Sequence, residues 1–302
     1  MMFIHSGHHD DRSTGPRSTR PTRSPIYLPR QKGSSDMALP PPQPDTTALI
    51  TGASSGIGAA LARQLARHGH GVTLVARRRE RIIELARRLS ERYGVRAEAL
   101  PCDLLDSIAR DELPGRVDDL GLRVSVLVNN AGVASGGDFT GQDPGHEIDM
   151  VRLNCETLLA LTAAYAPGFE KEPGAILIVA SASGFAPIPR QATYAATKAF
   201  ALSLAEALHF ELRPAGTSVT ALCPGPVSTE IADGSPALRN LFAQAPGFAV
   251  VSADRCAAEA IRGLKKNKRV VVPNPAIRTA SFFSRNTPHR VLIPAIRRIY
   301  RI

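Results

Sequence analysis

"TTALITGASSGIG", residues 46–58, decides the fold. A short run of β-branched and apolar residues, 46–50, enters a glycine-rich turn and leaves it as a helical pattern over 57–69. Glycines at such a turn allow a sharp reversal, close approach of a phosphate to the backbone, and close packing of helix on strand. The free N–H groups of the helix start would then face an anion such as a pyrophosphate.

Outward from that unit the pattern repeats. Strand-like runs fall at 72–75, 95–100, 124–128, 175–180, 217–222 and 269–272, with helical patterns at 78–92, 106–120, 144–167, 191–212 and 253–265 between them. Alternation of this kind implies parallel strands joined by crossover helices. The strand cores carry almost no charge, as expected when helices cover both faces of a sheet. The fold class expected is α/β: a doubly wound, Rossmann-type, mainly parallel seven-stranded sheet in one domain over 45–273.

Two ends flank this domain. Residues 1–44 are rich in Ser, Thr, Arg and Pro and poor in large apolar side chains, so a disordered basic extension is expected there. Met37 offers an alternative start, and a transit peptide is the competing reading of the Arg- and Ser-rich segment. Residues 274–302 form a basic tail. Within it 290–302 places Leu292, Ile293, Ile296, Ile299 and Tyr300 on one helical side and Arg290, Arg297, Arg298 and Arg301 on the other, with Pro294 expected in the first turn. A basic amphipathic helix can lie on an anionic membrane, or pack on its own domain or a partner subunit, so peripheral membrane contact through 276–302 stays open.

The net charge of +10 divides unevenly. Residues 1–44 carry +3 and residues 261–302 carry +11, which leaves −4 for the centre. A nucleic-acid enzyme would carry its positive charge around its site, so nucleic acid is not expected as a partner. No run of 18 apolar residues is present to span a bilayer, and the N-terminus lacks the apolar core of a signal peptide. The four cysteines are scattered and the eight histidines lack ligand spacing, so no metal site is expected and reduced thiols in a cytoplasmic protein are.

Cofactor choice rests on the end of the second strand, "LVARRRER" at 74–81. Arg77 and Arg78 stand where an acid would take the ribose 2′-hydroxyl of NAD. A guanidinium there welcomes a 2′-phosphate instead, which favours NADP(H) over NAD(H), with Arg77 the more trusted of the two. A solvated helix face is the plain alternative for Arg78, Arg79 and Arg81. Asp103, in "LPCDLLD", either accepts from an adenine amino group or caps the next helix.

"TYAATKAF", 193–200, puts Tyr194 and Lys198 on one helix face. A free phenol, with a pKa near 10, is too weak an acid–base at neutrality. A nearby ammonium and the positive ring of an oxidised nicotinamide stabilise the phenolate. Bringing the phenol to neutrality asks for about 4 kcal/mol.

Taken together, Thr51, Gly52, Gly56 and Gly58 in the form TGxxxGxG, "NNAG" at 129–132, Asn154, Ser181, Tyr194 with Lys198, and "PGPVST" at 224–229 resemble the short-chain dehydrogenase/reductase family, across 46–272. The resemblance implies an oxidoreductase that moves a hydride between NADP(H) and a carbonyl or alcohol. It implies that Ser181 holds the carbonyl oxygen, Tyr194 is the acid–base, Lys198 tunes Tyr194 and binds the nicotinamide ribose, and Asn154 holds a water that links Lys198 to solvent. It further implies cofactor contacts from Gly52, Ser54, Ser55, Gly56, Ile57 and Gly58, from Arg77, Arg78, Asp103 and Leu104, from Asn130, Ala131 and Gly132, from Tyr194 and Lys198, and from Pro224, Gly225, Val227 and Thr229. The helices near 144–167 and 191–212 would join subunits into a homodimer or homotetramer. Two departures stand out: Thr197 where Ser is usual, and Ser55 where NADP-dependent members often carry Arg or Lys.

The segment 230–251, with Leu238, Leu241, Phe242, Phe248 and Val250, would close over a hydrophobic ketone or acyl substrate. The rival reading of the whole is a non-catalytic dinucleotide-binding or membrane-surface scaffold protein of the same fold.

Overall fold

A computed structural model describes residues 39–232, 235–244 and 246–300. The expectations at Met37 and over residues 1–38 fall outside them, as do those at Arg301 and at the side chains of Leu241, Phe242, Ile299 and Tyr300.

Seven parallel strands form one sheet in the order β3-β2-β1-β4-β5-β6-β7. The first half comprises β1 (Thr46–Thr51), α1 (Gly56–Arg67), β2 (Gly71–Ala76), α2 (Arg79–Tyr93) and β3 (Ala97–Pro101). After β4 (Arg123–Asn129) come β5 (Ala175–Val179), β6 (Ser218–Leu222) and the two-residue β7 (Val270–Val271). The order reverses between β1 and β4, where Ala48 pairs with Val126 and Ile50 with Val128. Chains diverge at that reversal and leave a crevice beyond the carboxyl ends of the strands.

Alternation along each strand builds two apolar layers. Ala48, Ile50, Val126, Val128 and Leu177 face one layer, with Leu61 and Leu65 of α1 and Ile82 of α2. Leu49, Leu127, Ile176 and Ile178 face the other. α9 (Ala253–Lys265) covers the first layer through Ile261 and Leu264, and α6 (Thr157–Lys171) and α7 (Ala192–Glu211) cover the second. β1, β2, β4, β5 and β6 bury both faces, which is why they read as unbroken apolar runs, while the edge strands β3 and β7 stay partly exposed.

The connections differ from expectation in four places. The helix expected over 106–120 is two short ones, α3 (Ser107–Asp111) and α4 (Leu113–Asp118), because Pro114 takes the start of a new helix. The helix over 144–167 is α5 (Pro144–Val151) and α6, joined by a π-helical turn at Arg152–Glu156. The 230–251 segment contains α8 (Pro236–Ala243). The tail holds α10 (Pro275–Asn286) before α11 (His289–Tyr300), and Pro294 falls in the second turn of α11 because that helix starts at His289.

Candidate functional site

The carboxyl ends of β1, β4, β5 and β6 open on a single cavity of about 1020 Å³. Every residue expected to touch the cofactor or take part in catalysis lines it except Gly58 and Asn154, which stand directly behind its wall. Of the expected substrate lid Leu238 lines it, while Phe248, largely exposed, and Val250 do not.

The floor is the glycine turn, fixed by Thr51 and Asn130. Thr51 Oγ1 accepts from the amides of Asn130 and Ala131, both at 3.0 Å, and Asn130 Nδ2 donates to the Thr51 carbonyl at 2.8 Å. This is why TGxxxGxG and NNAG belong together although 77 residues separate their first members: the second motif clamps the first. Gly52 has φ +65°, and a side-chain carbon on Gly58 would collide with the Gly52 carbonyl and the Asn130 amide. A carbon on Gly132 would lie 2.9 Å from Asn154 Oδ1 and 3.5 Å from Lys198 Nζ. These glycines therefore let the turn, the NNAG loop and the side chains of Asn154 and Lys198 pack closely to form one wall of the cavity. A dinucleotide's pyrophosphate and nicotinamide ribose suit a cavity lined by Gly52, Gly56, Gly132 and Lys198, with the N–H groups of the α1 start at its phosphate end.

At the adenosine end Arg78 is the anchored guanidinium. It donates to Ser54 Oγ at 2.8 and 3.0 Å and to Ser55 Oγ at 2.7 Å, and pairs with Glu230 at 2.5 Å. Arg77 reaches only Asp103, at 4.0 Å, and remains mostly exposed. Of the two arginines it is therefore Arg78 that the turn serines hold, while Arg77 stands more freely. Asp103 Oδ1 accepts from the Leu105 amide, and the cap of α3 is Asp106, which accepts from Ile108 and Ala109. Arg81 also reaches Glu230, at 2.8 Å, so neither Arg78 nor Arg81 belongs to a merely solvated face.

At the far end lie Ser181, Tyr194 and Lys198. Ser181 follows β5, and its Oγ accepts from the Ser183 amide at 3.1 Å, which fixes the turn 182–185. That same hydroxyl hydrogen-bonds toward the Tyr194 phenol. The phenol's ring packs with Leu238, Ile231 and Ala134. Lys198 Nζ donates to the Val179 carbonyl at 3.0 Å and sits 5.8 Å from the Tyr194 ring centre.

The electrostatics correct one expectation. Burial raises the Tyr194 phenol above its usual value, and the Ser181 hydrogen bond is what opposes the rise. Burial likewise lowers the Lys198 ammonium to about 8. The protein's own groups therefore do not acidify the phenol, because removing both groups from water disfavours both charges.

Asn154 sits in the π-helical turn, buried. Its Oδ1 accepts from the Val133 amide at 3.0 Å; its Nδ2 donates to the Val133 carbonyl at 2.9 Å and to Thr197 Oγ1 at 3.0 Å. Thr197 in turn donates to the Tyr194 carbonyl at 2.8 Å. The side chain thus staples the strand β4 loop to α7, and its amide is fully engaged by protein. The π-helical turn places Asn154 against the Val133 backbone and Thr197, the residue before Lys198.

Sequence reasoning missed the roof. Ile277, Ala280 and Ser281 of α10 and Leu292 and Ile296 of α11 line the same cavity. Glu230 was missed also. Its place one residue beyond "PGPVST" was the available signal, but nothing local says which cations it meets.

A family model for short chain dehydrogenases matches residues 46–238, and this chain belongs to that family. It is built on the family's Rossmann-like fold. It is 33% identical over 191 residues to a very-long-chain 3-oxoacyl-CoA reductase of Anas platyrhynchos, covering 61% of this chain and 60% of that one. Among solved structures it is similar to a short-chain dehydrogenase from Sphingobium yanoikuyae in complex with NADPH, with 38% identity, TM-score 0.70, and coverage of 78% and 91%. It is also similar to a bulky-bulky ketone specific alcohol dehydrogenase from Comamonas testosteroni, with 34% identity, TM-score 0.67, and coverage of 78% and 90%. The chain spans about 60% of the length of the reductase it matches.

Proposed function

We propose that this protein is an NADP(H)-dependent reductase of hydrophobic ketones or 3-oxoacyl compounds, with Tyr194 as the general acid–base. The observation that carries the reading is that Ser181, Tyr194 and Lys198 line the same cavity as the glycine turn and Gly132. A scaffold protein has no need of that convergence.

Bound reduced nicotinamide supplies the hydride. The residues do the rest. Ser181 and Tyr194 hold the carbonyl oxygen between two hydroxyls, and the phenol proton passes to that oxygen as negative charge develops on it. A raised phenol pKa suits this direction, since it keeps the proton on Tyr194 until the alkoxide, a stronger base, appears. Lys198, held by the Val179 carbonyl, binds ribose hydroxyls and supplies the positive charge that steadies the transient phenolate. In alcohol oxidation Tyr194 would take the proton as general base, its phenolate steadied by Lys198 and by a bound oxidised cofactor's positive charge.

Several features favour the finer points. Arg78, held by two serines, supports a 2′-phosphate, as does the NADPH in the Sphingobium structure. The apolar roof of Leu238, Ile277, Leu292 and Ile296 supports a hydrophobic substrate, as do the names of the Anas and Comamonas proteins. Exposed Ile148, Val151, Leu159 and Phe200 on α5, α6 and α7 support self-association as a dimer or tetramer. Four free thiols support a reducing, cytoplasmic setting. Exposed Phe282, Phe283 and Val291 beside the arginines of α10 and α11 support peripheral contact with a membrane, and no helix among the described residues is long and apolar enough to cross one.

The test is Tyr194→Phe. NADPH affinity, read by cofactor fluorescence, is expected to stay within about threefold, while ketone reduction falls by about 10²–10⁴-fold or more. Retained turnover would refute the assignment.

A further inference from the structure

Glu230 lies where a cofactor phosphate is expected. Its carboxylate pairs with Arg78 at 2.5 Å and with Arg81 at 2.8 and 3.0 Å. The same Arg78 donates to Ser54 and Ser55 at the glycine turn. Two guanidiniums around one planar dianion-like acceptor, beside turn hydroxyls, form the donor set that also recognises a phosphate monoester. Glu230 and Arg78 both line the cavity. The carboxyl is held down to about 2 by its Arg78 and Arg81 hydrogen bonds, so it stays anionic at any working pH.

We infer that Glu230 is an internal competitor for the ribose 2′-phosphate: its carboxylate occupies the guanidinium of Arg78, so a 2′-phosphorylated dinucleotide binds by displacing it. The inference rests on the NADP(H) reading above, and it assigns the discrimination between phosphorylated and unphosphorylated cofactor to a residue outside the second strand. A carboxylate and a phosphate cannot share Arg78 without like-charge repulsion, whereas a free 2′-hydroxyl asks nothing of that guanidinium. Glu230 therefore lowers affinity for NADP(H) and leaves NAD(H) untouched.

Displacement has a local consequence. Glu230 opens the short turn Glu230–Ala232, and the next residue, Ile231, packs with Tyr194 and Leu238. Freeing Glu230 loosens the segment that walls the phenol, so arrival of the phosphate end is transmitted to the substrate side by two bonded residues.

The experiment compares the wild-type chain with Glu230→Gln, a partly exposed site whose replacement keeps size and shape. Calorimetry measures 2′,5′-ADP and 5′-AMP, and fluorescence measures NADPH and NADH. The variant is expected to bind NADPH and 2′,5′-ADP about three- to fivefold more tightly, as release of a partly exposed ion pair allows, with NADH and 5′-AMP within about 1.5-fold. Unchanged affinities, or weaker NADPH binding because Arg78 loses its holder, would overturn the inference while a wild-type preference for NADPH left the cofactor reading intact. Weaker NADH binding in the variant would overturn it as well, and would make Glu230 a ribose-hydroxyl acceptor. If neither protein bound 2′,5′-ADP more tightly than 5′-AMP, the NADP(H) reading itself would fall, and the inference with it.

Discussion

Lys198 is buried beneath the cavity and forms no ion pair among the described residues; the Val179 carbonyl is its hydrogen-bond partner. Its ammonium is therefore lowered to about 8 from an ordinary 10.5. Between those values the unfolded chain binds a proton that the folded chain has released, so folding stability rises with pH across that window. Below about 8 both states are charged and the cost of burial is constant. Lys198→Met removes this titration. Thermal unfolding from pH 6 to 10 is expected to show wild type gaining on the variant above about pH 8, by up to about 3 kcal/mol, with a flat difference below it. A difference that stayed flat to pH 10 would mean the amine is solvated. At this scale Tyr194 and Lys198 were legible in the sequence because an amphipathic pattern does not call for a phenol and an amine one turn apart. The direction of the phenol's shift was not legible, because it depends on burial, which spacing does not report. Arg78 rather than Arg77 took the turn serines for a similar reason: which of two adjacent arginines folds inward depends on where the first turn of α2 begins.

Among elements, the parallel strands could be read to within a few residues because uncharged β-branched runs bounded by polar turns have few other uses in a chain this long. The junctions resisted. One extra residue in the turn at 152–156 turns the following helix by about 100°, about the width of one apolar stripe, and the small apolar residues of α6 spread over more than one face, so Arg152–Glu156 passed as regular helix. α10 had a signal that was available: Asn274 followed by Pro275, with Asn274 Oδ1 accepting from the amides of Ala276 and Ile277. The turn carrying Ser181 meets α7 at Gly184, where an added carbon would stand 2.6 Å from the Lys198 carbonyl. Neither backbone can yield without moving Ser181 away from Tyr194. Gly184→Ala is expected to cost about 1–3 kcal/mol in stability and to lower kcat while NADPH affinity holds, measured by thermal unfolding and fluorescence titration. Gly115→Ala is the control, since nothing lies within 4 Å of its added carbon. Equal effects from the two would show that Gly184 is not a contact point.

For the whole molecule the decisive asymmetry is charge. The last 42 residues hold eleven cations and no acid, while the sheet and its helices are mildly acidic. The sequence left three fates for that basic helix, a membrane, its own domain or a partner subunit, and the structure gives its apolar side a role at home: Leu292 and Ile296 face the cavity that Ile277 also roofs. The sequence could not tell this, because an apolar stripe looks the same whether it meets lipid or a neighbouring helix. What remains outward is a different set, Phe282 and Phe283 of α10 and Val291 of α11, each more than half exposed. Two adjacent phenyl rings among arginines at the rim of an apolar cavity suit the headgroup boundary of an anionic bilayer, where rings bury and guanidiniums meet phosphate. Replacing both rings by Ser (Phe282→Ser with Phe283→Ser) removes the buried apolar area but leaves every charge. The wild-type chain is expected to float with phosphatidylserine vesicles at low salt, less so at 1 M salt because screening shortens the reach of the arginines. The double variant is expected to stay at the bottom of the gradient with its Tm and its turnover of a water-soluble ketone unchanged. Flotation equal in both proteins would reduce the contact to charge alone, and no flotation of the wild type would return the aromatic pair to a protein partner.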